Sequence, residues 1–354
     1  MVCMRRLLQT AVFGLSILSN AAALPHTKTQ TQNRGTNIST SPTWDFPLWT
    51  WVENLAVRSN GQILATVLQP EPTLWQIDPS AKQNGEKEPT AIHSWPDKNA
   101  LLGIAETEPD VFAVVAAEVT FVPEVAQTPG SAEIWRVDLR DDNSKEPSVS
   151  LTTRIPEAGF LNGLTVLPPP NNSDGKSTIL IADSILGAVW AVDPRSGSYA
   201  QIIQDPMLAP LPNGGPGAGS LGINGLHVLG EYLYFSNTSR RTFVRVPVDG
   251  ATGRLRGPFE IMANLTDVQP DDFALDREGN AYIAGSDKVT RVSRDGGDMS
   301  VVTDASAVLG CTSAAWGRTP SDSSTLYVTA HGGVGEDIAV RGGRVVAVQL
   351  GESR

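Results

Sequence analysis

The sequence predicts an all-β fold, a six-bladed β-propeller of four-stranded blades whose ring is closed by the N-terminal strand. Three observations predict it. A unit of four short strands recurs along the chain at a spacing of roughly 40–60 residues, which suits a propeller blade. The strands are rich in Val, Ile, Leu and Tyr, and Gly, Asp, Pro and Asn separate them, the chemistry of strands and turns. The last unit lacks an outer strand, and a matching segment precedes the first.

The first unit comprises Glu53–Arg58, Gln62–Leu68, Thr73–Ile77 and Thr90–Ser94. The second begins at Leu102 and continues with Phe112–Ala117, Glu133–Val137 and Ser148–Thr153. The third runs Asn162–Leu167, Thr178–Asp183, Ala188–Val192 and Tyr199–Gln204, and the fourth Asn224–Leu229, Tyr232–Ser236, Thr242–Val246 and Phe259–Ala263. The fifth runs Asp271–Leu275, Asn280–Ala284, Val289–Val292 and Met299–Thr303. The sixth begins at Thr312, adds Thr325–Thr329 and Arg344–Gln349, and stops. The segment around Trp44-Asp45-Phe46-Pro47 resembles Ser94-Trp95-Pro96 at the end of the first unit. It is expected to complete the sixth blade and protect an open sheet edge.

Upstream, Arg5 and Arg6 precede an apolar run over Leu7–Ser19 and the small residues Ala21-Ala22-Ala23. This pattern predicts a signal peptide over residues 1–23, hence the secretory pathway or an extracellular location. The run is shorter than the roughly 20 residues a membrane span needs, so no span is expected. Residues 24–43 read as a flexible leader and 44–350 as one propeller domain. Sequons at Asn37, Asn171, Asn237 and Asn264 are candidate glycosylation sites. Cleavage would remove Cys3 and leave Cys311 as a lone thiol.

Composition narrows the function. Hydrophobic residues make up 40% and charged residues 18%, which supports a large core rather than disorder. The formal charge of −11 argues against nucleic acid or an anionic membrane as partner. P-loop, nucleophile-elbow, zincin and dinucleotide patterns are absent from the sequence.

Aligning the inner strands on their apolar positions produces one column: Glu53, Leu102, Asn162, Asn224, Asp271 and Thr312. Polar groups between apolar neighbours need partners, and a shared channel supplies them. Two carboxylates and two amide oxygens converging there suit a hard cation such as Ca²⁺. A water-filled channel accounts for them equally. Strand order places the loop into each inner strand and the loop after each second strand at one end. Trp51, Phe160, Ser184, Ser236, Asn237 and His331 are therefore expected around the mouth, with Leu102 below them. His331 is the one candidate acid or base among the histidines. Glu118–Gly130 and the Gly-rich Ala330–Gly343 are long mouth loops, the latter a candidate lid.

The motifs Phe160-Leu161-Asn162-Gly163-Leu164, Gly222-Ile223-Asn224-Gly225 and Pro270-Asp271-Asp272-Phe273-Ala274 resemble the SMP-30/gluconolactonase superfamily. The resemblance implies that Glu53, Asn162, Asn224 and Asp271 hold a divalent metal, as in its lactonases. Those lactonases carry Arg two residues before the first Asn and Asp just after it. Phe160 and Gly163 stand there instead. Trp51-Val52-Glu53-Asn54, Leu102-Gly103-Ile104-Ala105-Glu106 and Thr312-Ser313-Ala314-Ala315 are similar to fungal secreted hetero-Diels–Alderases of tropolone-sesquiterpenoid biosynthesis. That resemblance implies a meroterpenoid cyclase that needs no cofactor and takes small apolar or aromatic substrates. Asn162, Asn224, Thr312, Glu53 and Asp271 would then act on the reacting groups, and Trp51 and Phe160 would pack on the hydrocarbon. A metal-dependent lactonase and a non-catalytic secreted binding propeller are the alternatives.

Overall fold

The structure is a computed structural model. It describes residues 38–80, 88–120, 125–141, 147–169, 177–213, 220–335, 338–339 and 341–350, apart from the side chains of 334–335 and 338–339. The expected signal peptide, Asn37 and Asn171 lie outside these residues.

Six four-stranded antiparallel sheets form the six blades of a β-propeller. The inner strands are Trp51–Val57, Ala100–Glu108, Leu161–Leu167, Ile223–Leu229, Pro270–Leu275 and Cys311–Trp316. Each inner strand contacts the inner strands of both neighbouring blades, including the sixth with the first. The ring closes as the sequence predicts: Ser39–Asp45 pairs antiparallel with Arg344–Gln349 as the outer strand of blade six. This strand starts earlier than expected. Its first five residues, Ser39–Thr43, fall in the segment read as a flexible leader.

The core is divided among the gaps between blades. Six apolar clusters fill them, one for each pair of neighbours. Alternation along each strand sends side chains to both faces of a blade, so both faces read as apolar. Between blades four and five, Phe243 meets Phe273 edge-to-face at 4.9 Å. Burying one such side chain contributes about 1.5–3 kcal/mol. α-Helix is confined to the single turn Ala305–Val308 among the described residues. No helix there is long and apolar enough to cross a membrane.

The inner strands break their ladder at equivalent places. Register shifts fall between Val52 and Asn54, Leu101 and Ile104, Leu161 and Leu164, Ile223 and Leu226, Pro270 and Phe273, and Cys311 and Ser313. Such bulges re-aim side chains away from regular pairing. The residues they free include every member of the predicted column.

Candidate functional site

Five of the six column residues meet at one cavity. Glu53, Leu102, Asn162, Asn224 and Asp271 line a space of about 360 Å³ at the channel mouth. That size lies within the roughly 300–1,000 Å³ usual for small-molecule sites. One wall is apolar, built from Leu68, Leu102, Val125, Phe160 and Leu221. The other carries Glu53, Asn162, Asn224 and Asp271, with Thr238, Gln269 and Ser286 beside them. Neither Lys nor Arg lines the cavity among the described residues.

Asparagine geometry leaves oxygen for the cavity. Asn162 Nδ2 donates to Ser184 Oγ at 3.3 Å, and Asn224 Nδ2 donates to Thr238 Oγ1 at 3.0 Å. Each amide keeps its oxygen and a second N–H for other partners. The glycine after each asparagine is required by close approach. A Cβ on Gly163 would lie 2.7 Å from Asn224 O, and one on Gly225 would lie 2.2 Å from Asp272 Oδ1.

The two carboxyls on the polar wall resist ionisation. Burial pushes Glu53 up from 4.5 to about 7, against the Trp51 indole N–H that donates to its Oε2 at 2.5 Å; the charge of Asp272 adds to the rise. Asp271 is pushed well above its usual range by burial and then by the charges of Glu53 and Asp272, against a bond from Asn224. The pair titrates together and retains a proton into the neutral range.

Trp51 and His331 complete the mouth as a stacked pair, with centroids 4.3 Å apart. Burial lowers His331 to about 4. Its Nδ1 accepts from Gly333 N at 3.2 Å, so the neutral ring carries its proton on Nε2. The expected acid or base is thus a neutral donor and a flat packing surface at physiological pH.

A second tier lies directly behind the first, and the sequence reading did not single it out. Asp272 Oδ1 accepts from Phe273 N at 2.8 Å and meets His227 Nε2 at 3.0 Å. Its Oδ2 accepts from Asn54 Nδ2 at 2.9 Å and lies 3.1 Å from Ser313 Oγ. Blades one, four, five and six are joined through one carboxylate. Burial opposes its charge, yet His227 and these hydrogen bonds outweigh that and hold Asp272 below the ordinary range.

Several expected positions fall elsewhere. Thr312 is buried behind the cavity, where Oγ1 donates to Val52 O at 2.9 Å, and Cys311 lines the cavity in its stead. The bulge of blade six skips one residue, as that of blade one does, but the skipped Thr312 hydroxyl turns to Val52 O and Thr329 Oγ1 instead of the cavity. Ser184 and Ser236 are wholly buried outside the lining. Ser184 Oγ donates to Ile223 O at 2.5 Å, and Ser236 Oγ donates to Asp271 O. Both hydroxyls fasten the next blade's inner strand. Asn237 is also wholly buried, with Nδ2 shared among Met207, Leu208 and Ala209 carbonyls at 3.1–3.3 Å. A glycan has no room on that nitrogen in this fold. Asn264 is exposed.

The ligand set implied by resemblance can be tested on this geometry. Glu53, Asn162, Asn224 and Asp271 face one space, and their oxygens suit a hard cation. Two crowded carboxyls, with neither Lys nor Arg in the lining among the described residues, would be relieved by positive charge. No three His, Cys, Asp or Glu side chains group as a metal site among the described residues, so the two amides would be needed. A larger depression, about 640 Å³, lies between blades five and six around Tyr282, Trp316 and Arg318. It includes none of the column residues.

Comparison with known proteins agrees with both resemblances. A family profile described as SMP-30/Gluconolactonase/LRE-like region matches residues 222–332. The chain is 29% identical over 309 residues to a candidate hetero-Diels-Alderase of a Phoma species, covering 81% of this chain and 85% of that one. It is 26% identical over 321 residues to another from Sarocladium schorii, covering 80% and 76%. Among solved structures, a luciferin-regenerating enzyme matches with a TM-score of 0.60 at 16% identity, covering 89% of this chain and 98% of that one. At that identity the match bears on the fold alone.

Proposed function

We propose that the protein is a secreted meroterpenoid cyclase. In this reading it joins a tropolone-type quinone methide to a humulene-type sesquiterpene by hetero-Diels–Alder cycloaddition. The observation that carries the reading is the division of the cavity. An apolar wall meets a hydrogen-bonding wall, and among the described residues neither Lys nor Arg lines the cavity to hold an anionic substrate. Similarity to the two candidate hetero-Diels-Alderases supports it.

The reaction forms one C–C and one C–O bond and expels nothing, so it needs no nucleophile. It needs two partners held in one orientation, and such positioning supplies up to roughly 7–11 kcal/mol. The hydrocarbon packs on Leu102, Phe160 and Leu221. The quinone-methide oxygen accepts a hydrogen bond from the second N–H of Asn162, which makes the heterodiene more electrophilic. Protonated Glu53 or Asp271 adds a further donor.

Asn162→Ala tests this assignment. Loss of one preorganised donor should lower turnover roughly 10²-fold, with the unfolding midpoint little changed. Unchanged turnover with a quinone-methide precursor and humulene would remove Asn162 from the reaction.

The four oxygen donors favour a second reading, a metal-dependent lactonase. A divalent cation held by Glu53, Asn162, Asn224 and Asp271 would supply Lewis acidity there. Treatment with a chelator separates the two. Cycloaddition that survives it supports the first reading, and activity lost with chelator and restored by a divalent cation supports the second.

A further inference from the structure

The six connections between second and third strands lie at the channel mouth, and they are not alike. Four are short, spanning 70–72, 184–187, 238–241 and 286–287. Two are long, 118–132 in blade two and 331–343 in blade six, and among the described residues each contains a two-residue antiparallel strand pair. The four short connections show that a blade closes without such an insertion. Function is grafted onto folds at variable loops of this kind.

The blade-two insertion pairs Val119–Thr120 with Ala126–Gln127. Val125, beside this pair, is buried and lines the cavity next to Phe160 and Leu221. Blade two is also the blade whose bulge presents a leucine, Leu102, where blades three to five present polar groups. The insertion therefore completes the apolar wall on the side where the inner strand is apolar.

Side-chain hydrogen bonds hold the described ends of the insertion in place. Asn99 Nδ2 donates to Val119 O at 2.9 Å, and Asn99 Oδ1 accepts from Val119 N at 2.7 Å. Gln127 is buried; its Oε1 accepts from Leu161 N at 3.2 Å and its Nε2 donates to Ala158 O at 3.4 Å. Leu161 stands between Phe160 and Asn162, which both face the cavity. Asp183 accepts from Gly159 N at 2.8 Å and Phe160 N at 3.0 Å. Two buried side chains thus take all three amides leading into Asn162, and one of them belongs to the insertion.

We propose that Val125 and Gln127, on the described side of the blade-two connection, form the selectivity element of the site. Val125 sets the bulk of the hydrocarbon partner, and Gln127 is a positioning residue that ties this wall to Phe160. The choice of hydrocarbon rests on the cyclase reading. One methylene too many or too few in an apolar pocket changes selectivity by roughly 10–200-fold.

The test is calorimetric binding of two hydrocarbons, humulene with fifteen carbons and limonene with ten, to the full chain. Val125→Phe should weaken humulene at least tenfold while changing limonene less than threefold. Val125→Ala should shift the affinity ratio the other way, which keeps the test decisive if the phenylalanine variant does not fold. Gln127→Ala should bring the two affinities together, and a general loss of stability would scale both without moving their ratio. Unchanged ratios in the Val125 variants, or no binding of either hydrocarbon by the parent protein, would overturn the proposal. Turnover is read separately. A protein that binds and discriminates but forms no cycloadduct overturns the cyclase reading and leaves the selectivity element standing.

Discussion

Asp271 and Asp272 are neighbours on one bulge, yet their surroundings drive them in opposite directions. Asp271 faces the cavity, shares it with Glu53, and is pushed toward its neutral form by burial and like charge. Asp272 faces the tier behind, where His227, Asn54, Ser313 and the Phe273 amide hold it ionised. Two identical side chains thus differ in whether the protein satisfies them itself. The tier around Asp272 ties blades together, whereas the carboxyls of Glu53 and Asp271 are held toward their neutral forms at a cavity, and functional sites gather perturbed groups of the second kind.

The largest expected effect separates the tiers by stability. Asp272→Ala leaves the Asn54 amide, the Phe273 N–H and His227 without their shared acceptor and should cost about 3–5 kcal/mol. Asp271→Asn removes a charge the fold disfavours and should cost less than about 1 kcal/mol. Urea unfolding of both variants checks this. Equal losses would break the comparison, because Asp271 would then be as structural as its neighbour.

Stability against pH sharpens it next. Glu53 is raised from 4.5 to about 7 on folding. Its contribution is full below about 4.5 and is lost as pH rises through 7, because the unfolded chain releases the proton first. The loss is on the order of 3 kcal/mol. Asp272 has the opposite sign: its contribution is present above 3.8 and lost as pH falls. Stability of the parent should therefore decline between pH 5 and 7.5, and Glu53→Gln should flatten that decline. A parent whose stability rises across this window would contradict the assignment of Glu53.

Much of this was readable from sequence, because propeller repeats place equivalent positions at equivalent depths. The six units, the closing strand and the column from Glu53 to Asp271 follow from strand chemistry and spacing alone. Thr312 did not, because its hydroxyl bonds to Val52 O and Thr329 Oγ1 behind the cavity, and hydrophobic pattern carries no record of which way a bulged side chain turns. Ser184 and Ser236 stand at the right end of the right strands, but pattern does not tell whether a hydroxyl faces a cavity or a neighbouring carbonyl. The second tier was written beside the first as Asn54, Gly103, Gly163, Gly225, Asp272 and Ser313. Its three glycines hide it. They look like turn residues, although Gly163 and Gly225 are there because the next blade's inner strand comes too close for a Cβ.

The smallest expected effect probes how the satisfied tier shares its load. Ser313 Oγ lies 3.1 Å from both Asp272 Oδ2 and Asn54 Oδ1. Ser313→Ala removes that hydroxyl but leaves Asp272 its bonds from Asn54, His227 and Phe273. The cost should be about 1 kcal/mol, the worth of one ordinary hydrogen bond, with ligand binding at the first tier unchanged. Thermal unfolding of Ser313→Ala, His227→Ala and the double variant measures the coupling. Additive losses would mean that the carboxylate holds each blade independently. A single-variant loss approaching that of Asp272→Ala would mean that the hydroxyl polarises the whole network, and the tier would then act as one cooperative knot rather than a carboxylate with several partners.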